Sequence, residues 1–124
     1  MIVVDTPVWI EFFKGNSSIY TDLKLLLEKN EILACVLVFG ELLQGAKTKR
    51  ERHIISNYWL NLPKFTMDGS LISAGLKSGK NNWLNKGIGL IDCSILMYAR
   101  VRACKLWTFD KKLLSILQYD EKYI

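Results

Sequence analysis

The sequence predicts an α/β fold, a central parallel sheet flanked by helices, on three observations. Short runs suited to strands at Ile2 to Val4, Glu31 to Ala34 and Lys105 to Phe109 are each followed by a stretch with the three-to-four-residue recurrence of an amphipathic helix. The segments between these runs are long enough for the helical crossover that parallel neighbours require. Gly87 to Asp110 is such a unit in itself: a helix opening at Asp92, then a strand with Asp110 at its carboxyl end. In an open parallel sheet, that edge is where ligands sit.

The elements follow in order. Ile2 to Val4 ends at Asp5, and Thr6, Pro7 and the stripe Trp9, Phe12, Phe13 start a helix, proline being tolerated in a first turn where its missing N–H costs nothing. Asp5 is therefore either a plain N-cap or a site acid. Gly15, Asn16 and Ser17 break this helix, and a second from Ser18 to Lys29 buries Ile19, Leu23, Leu26 and Leu27. After the strand at Glu31 to Ala34, Val36 to Ala46 reads as a helix around Glu41. The residues three and four positions back from Glu41 are Val38 and Leu37, so its carboxylate has apolar flanks where a surface acid would have lysines.

A charged stretch from Lys47 to Arg52 begins the next helix, which Ile54 to Leu60 continue and Pro63 ends. Lys64 to Met67 reads as a short strand, and Asp68 as the cap of a longer helix with Leu71, Ile72, Leu76, Trp83 and Leu84 on its apolar side. Ser78 to Asn82 weaken that helix before Lys86 and Gly87 end it. Ile91 to Ala103 follows as a largely buried helix with Ile91, Ile95, Tyr98, Ala99 and Arg102 on one face. Asp110 opens a last helical pattern at Leu113, Leu114 and Leu117, and the tail to Ile124 reads as a short edge strand.

At 124 residues the chain is expected to form one domain, residues 1–124, without needing a partner to fold. No apolar run approaches the ~20 residues of a membrane span, so a cytoplasmic protein without a targeting segment or membrane association is expected. Cys35, Cys93 and Cys104 are odd in number and lack C-x-x-C spacing, which predicts free buried thiols. His53 is the only histidine, which excludes a histidine-rich zinc site and a histidine-based triad. The net charge of +5, from 17 Lys and Arg against 12 Asp and Glu, favours a polyanionic partner, the more so if several acids are withdrawn into one pocket.

Asp5, Glu41, Asp92 and Asp110 each lie at a strand end or on a helix beside one. Four carboxylates in one cleft repel and raise one another's pKa values, an arrangement that makes physical sense chiefly around a divalent cation. All-oxygen ligation suits Mg²⁺ or Mn²⁺.

With these residues in place the sequence resembles the PIN-domain ribonucleases, and among them the VapC-type toxins of prokaryotic toxin–antitoxin pairs. An opening V-D-T-x-V-W-I matches Val4 to Ile10, and E-L-L-x-G matches Glu41 to Gly45. K/R-G followed by an aspartate matches Lys86, Gly87 and Asp92, and T-x-D matches Thr108 and Asp110. The resemblance implies a Rossmann-like, three-layer PIN fold and metal-dependent endoribonuclease activity. It further implies homodimerisation and neutralisation by a VapB-like antitoxin. It assigns Asp5, Glu41, Asp92 and Asp110 as catalytic residues and ligands of Mg²⁺ or Mn²⁺, directly or through water, with Thr6 and Thr108 in support. Pro7 departs from the family's usual Ser or Asn, bulky Leu96 and Met97 replace small alanines, and no further acid follows Asp92 on its helix.

Lys47, Lys49, Arg50, Lys80 and Lys86 are candidate RNA-phosphate contacts, and Trp9, Phe12 and Phe13 a candidate antitoxin-binding stripe beside the acids. Two rival functions come from other classes. A phospho-accepting receiver domain would need an acid next to Asp5 and a lysine where Asp110 stands, and has neither. A PIN-like module that binds RNA or protein without cleavage is the alternative that Pro7 keeps open.

Overall fold

The computed structural model describes residues 1–67 and 69–123. The cap expected at Asp68, and Ile124 in the expected terminal strand, lie outside the described residues. Strands β1 (Ile2–Val4), β2 (Ile32–Leu33) and β3 (Lys105–Trp107) form a parallel sheet in the order β2-β1-β3, with Ile2 opposite both Ile32 and Lys105. The central strand is buried at all three positions, which explains an uninterrupted apolar run in place of an alternating one. Parallel bridges of Ala34 to Lys64 and of Leu106 to Lys122 add one residue pair at each edge. The strand expected at Lys64 to Met67 is thus reduced to a single pairing. Pro63 can offer only its carbonyl, which accepts from Ala34 N at 2.8 Å.

Helices α1 (Thr6–Phe13), α2 (Ser17–Glu28), α3 (Val36–Gly45) and α4 (Lys49–Asn61) follow in sequence. Here α1 packs on α2 and α3, and α3 on α4. Thr48 starts α4 with a full capping box, its hydroxyl accepting from Glu51 N while the Glu51 carboxylate accepts from Thr48 N. The long helix expected up to Lys86 is instead two pieces, α5 (Ser70–Asn81) and a 3₁₀ turn at Leu84–Lys86. Asn82 takes a left-handed conformation that stops α5 at Asn81, five residues early.

α6 (Leu90–Val101) packs against α5, α3 and β3, and α7 (Lys111–Ile116) follows β3. Ile95, Tyr98 and Ala99 are buried as expected, whereas Ile91 is 39% exposed and Cys93, Ser94 and Leu96 take the core positions. The buried Tyr98 hydroxyl donates to Ala34 O at 2.7 Å and accepts from Phe65 N at 2.9 Å, fastening the 63–67 segment to the end of β2. All three cysteines are free and buried, and His53 is exposed.

The stripe expected to meet an antitoxin is mostly core. Trp9 and Phe12 are 1% and 4% exposed, and only Phe13 is partly open. Their rings pack with Tyr20, Phe39 and Tyr58 from α2, α3 and α4, at centroid separations of 5.1–5.9 Å. An aromatic residue every three or four positions on α1 therefore records the junction of four helices.

The C-terminal segment is held by a forked ion pair. Arg100 donates from Nε and Nη2 to the two Glu121 carboxylate oxygens at 2.6 and 3.0 Å, with its guanidinium over the Trp83 ring. This pairing lowers the Glu121 pKa. A depressed carboxylate pKa stabilises the fold above the ordinary Glu range and loses that contribution as pH falls through the lowered value. Glu121→Gln is expected to cost about 1–2 kcal/mol at neutral pH, a cost that vanishes once pH falls below the lowered value. Thermal melts across that range check it.

Candidate active site

The chain leaves β1 for β2 on one side and later returns to β3 on the other, so a topological switch point lies at the carboxyl ends of β1 and β3. Asp5 and Thr108 stand there. Asp5 N donates to Trp107 O at 2.9 Å, extending the ladder by one bond and fixing the two strand ends side by side. Asp5 is 4% exposed, and both of its carboxylate oxygens are engaged: Oδ1 accepts from Thr6 N at 2.8 Å, and Oδ2 from the Thr108 hydroxyl at 2.7 Å. It is thus an N-cap and also a buried acid.

The Thr108 hydroxyl also accepts from Asp110 N at 3.1 Å, linking Asp5 to the next acid. Asp110 caps α7, its Oδ1 accepting from Lys112 N and Leu113 N at 2.8 and 3.2 Å; Oδ2 forms no hydrogen bond within the described residues. Glu41, in the second turn of α3, is tied to the same edge by the Thr6 hydroxyl, which donates to its Oε1 at 2.7 Å. Glu41 is exposed although its i−3 neighbour Val38 is buried. Thr6 thereby supplies a side-chain hydrogen bond that Pro7 cannot.

Asp92 enters from α6. A crossover helix that precedes β3 runs antiparallel to it, so its N-terminal turn lies at the sheet's carboxyl edge. Gly89 is the N-cap, which puts Asp92 within the first turn and not at the helix opening expected from the sequence.

Electrostatics ties the four acids together. Burial, then the charges of Asp5, Asp110 and Glu41, push the Asp92 carboxyl up to about 6. Asp5 is raised as well, chiefly by burial and further by Glu41 and Asp110, against the lowering effect of its hydrogen bonds from Thr108 and Thr6. Among the described residues, no three carboxylate, histidine or cysteine side chains already enclose a metal position by themselves. The donor set still fits a hard cation that keeps part of its water shell, since Mg²⁺ needs only one or two direct carboxylates.

A groove of about 450 Å³ opens beside Glu41, lined by Ile10, Phe13, Leu42, Ile54 and Ile55 and edged by Lys47. Lys47 N donates to Glu51 at 2.6 Å, while Lys49 and Arg50 lie exposed in the first turn of α4. Lys80 and Lys86 are exposed at the end of α5 and in the 3₁₀ turn. Ile10 and Ile54, which give the groove its apolar character, were not singled out in the sequence. Both are exposed apolar residues on otherwise amphipathic helices, and that is the signal that could have found them.

The profile of the PIN domain matches residues 2–116. The chain belongs to the PIN-domain family. Ribonuclease VapC32 of Mycobacterium tuberculosis, in both the H37Rv and CDC 1551 strains, is 31% identical over 114 residues that cover 91% of this PIN domain chain and 87% of VapC32. The crystal structure of VapBC2 from Rickettsia felis, bound to a DNA fragment from its promoter, contains a chain of the same fold. Its TM-score is 0.71 at 24% identity, covering 94% of this chain and 93% of that one. The parallel sheet wrapped by helices is accordingly the PIN fold. No helix among the described residues is long and apolar enough to cross a membrane.

Proposed function

We propose that this PIN domain is an Mg²⁺- or Mn²⁺-dependent endoribonuclease of the cytoplasm and the toxin of a VapBC-type pair. The observation that carries the reading is the convergence of four acids on the switch point, close enough that Asp92 is held near 6 by burial and by the other three charges. The relationship to Ribonuclease VapC32 supports the reaction class.

Asp5, Asp92 and Asp110 would hold the cation, directly or through water. When bound, it acidifies water and offsets charge on the scissile phosphate. Glu41 is the open carboxylate of the set and orients or deprotonates the attacking water, with Thr6 fixing one of its oxygens. Thr108 holds Asp5 and the Asp110 backbone in a fixed relation, so the two acids at the strand ends need no rearrangement. Water adds to phosphorus as the P–O3′ bond breaks, leaving a 5′-phosphate and a 3′-hydroxyl. Lys47, Lys49, Arg50, Lys80 and Lys86 would contact the RNA backbone.

The VapB-like antitoxin would lay an amphipathic segment in the groove beside Glu41, meeting Phe13, Ile10 and Ile54, with Trp9 and Phe12 supporting that wall from within. The homodimer would use the exposed apolar face formed by Ile72, Leu76, Leu84 and Leu90 on α5, the 3₁₀ turn and α6. RNA hydrolysis tests the enzyme reading: metal-free protein should leave RNA intact, and added Mg²⁺ or Mn²⁺ should start cleavage. Cleavage that persists in EDTA would overturn it.

A further inference from the structure

Gly87 sits where two demands meet. Its φ of +81° belongs to the left-handed region, and a Cβ placed on it would lie 2.9 Å from Lys112 Nζ and 3.2 Å from Lys112 Cδ and Cε. The Lys112 side chain is therefore laid across the turn that leads into α6 and Asp92. At its other end, Lys112 N donates to the Asp110 carboxylate at 2.8 Å. One residue thus spans from the cap of one site acid to the approach of another. Among the described residues the ion pairs are Lys14–Glu11 and Arg100–Glu121, and the Lys112 ammonium forms none. Lys86, next to Gly87 in the chain, and Lys111, next to Lys112, are exposed, as Lys112 is.

A cation that pairs with none of the nearby acids is available to an anion from outside. The acids and their cation take one phosphodiester; the adjoining phosphates need positive charge that does not compete with that cation. Resting on the ribonuclease reading, we propose that Lys112, seated over Gly87, binds the non-bridging oxygens of an RNA phosphate flanking the scissile bond. Lysine suits this role as a mobile point charge, and Gly87 is the residue that lets its stem cross the turn. The contact lies next to Lys86, whose neighbour Gly87 the Lys112 stem crosses.

The test uses single-stranded RNA binding in the Asp92→Asn background, where cleavage does not interfere, measured as log affinity against log salt. Adding Lys112→Met, which keeps an aliphatic stem over Gly87 and removes only the charge, should weaken binding several-fold and reduce the slope by about 0.7, the value of one phosphate contact on a single strand. Lys112→Arg should keep the slope, and Lys24→Ala, on α2, should not change it. In the otherwise wild-type enzyme, Lys112→Met should raise KM with little change in kcat. An unchanged slope and KM in Lys112→Met would overturn the contact while leaving the ribonuclease reading intact. Failure of the wild-type protein to cleave RNA with Mg²⁺ or Mn²⁺ present would overturn the ribonuclease reading on which the contact rests.

Discussion

Asp92→Asn is expected to lower RNA hydrolysis by more than about 100-fold, since even a partner one shell removed from a metal is typically worth 10–100-fold. The same substitution should stabilise the metal-free protein. Burial first, and then the charges of Asp5, Asp110 and Glu41, push the half-buried Asp92 carboxyl up to about 6 from an ordinary 3.8. The folded state therefore binds the Asp92 proton more tightly than the unfolded chain does. Its stability is greatest below about pH 4 and falls as pH rises through about 6. At neutral pH the ionised carboxylate costs about 1–2 kcal/mol after allowance for solvent screening of a half-exposed group. Asparagine removes that cost, so the melting temperature of the variant should exceed that of the wild type at pH 7. The two should converge near pH 4. A variant that is both inactive and less stable at pH 7 would indicate a structural role for Asp92.

Trp9→Ala should cost about 3–5 kcal/mol, the usual penalty for truncating a fully buried aromatic residue. Trp9 is 1% exposed and in ring contact with Phe12, Phe13, Phe39 and Tyr58, so the cavity would open where α1, α3 and α4 meet. α3 carries Glu41, so loss of cleavage should accompany loss of stability. Antitoxin contact is better read through Ile54, which is exposed and lines the groove. Ile54→Glu should weaken neutralisation while leaving both the melting temperature and RNA cleavage near wild type. Chemical denaturation of the two variants, with inhibition assays of the second, checks this pair. A mild Trp9→Ala phenotype with selective loss of neutralisation would contradict the packing argument.

The contrast between these residues shows what could be read from the chain. The three strands and most helices were legible because apolar runs and helical periodicity are local properties. Three of the candidate acids stand out because each sits at a boundary, Asp5 and Asp110 where strand becomes helix and Asp92 in a first turn, whereas Glu41, inside α3, stands out only by its apolar neighbours Leu37 and Val38. The aromatic stripe was misread for an equally physical reason. Periodicity reports that Trp9, Phe12 and Phe13 face something, without reporting whether it is another part of the chain. The weakness at Ser78 to Asn82 is visible in the sequence, but not that Asn82 turns left-handed there and ends α5 outright. The crossing of Lys112 over Gly87 joins residues 25 apart and leaves no mark in local pattern.

The central claim is that Asp5, Glu41, Asp92 and Asp110 form one divalent-cation site, and calorimetric titration of Mn²⁺ into metal-free protein tests it most directly. Binding should be clear at about pH 7.5, weaken markedly at about pH 5 as Asp92 takes up its proton, and be lost or strongly weakened in Asp92→Asn. Equal Mn²⁺ affinity in the wild type and Asp92→Asn, unchanged between the two pH values, would contradict it.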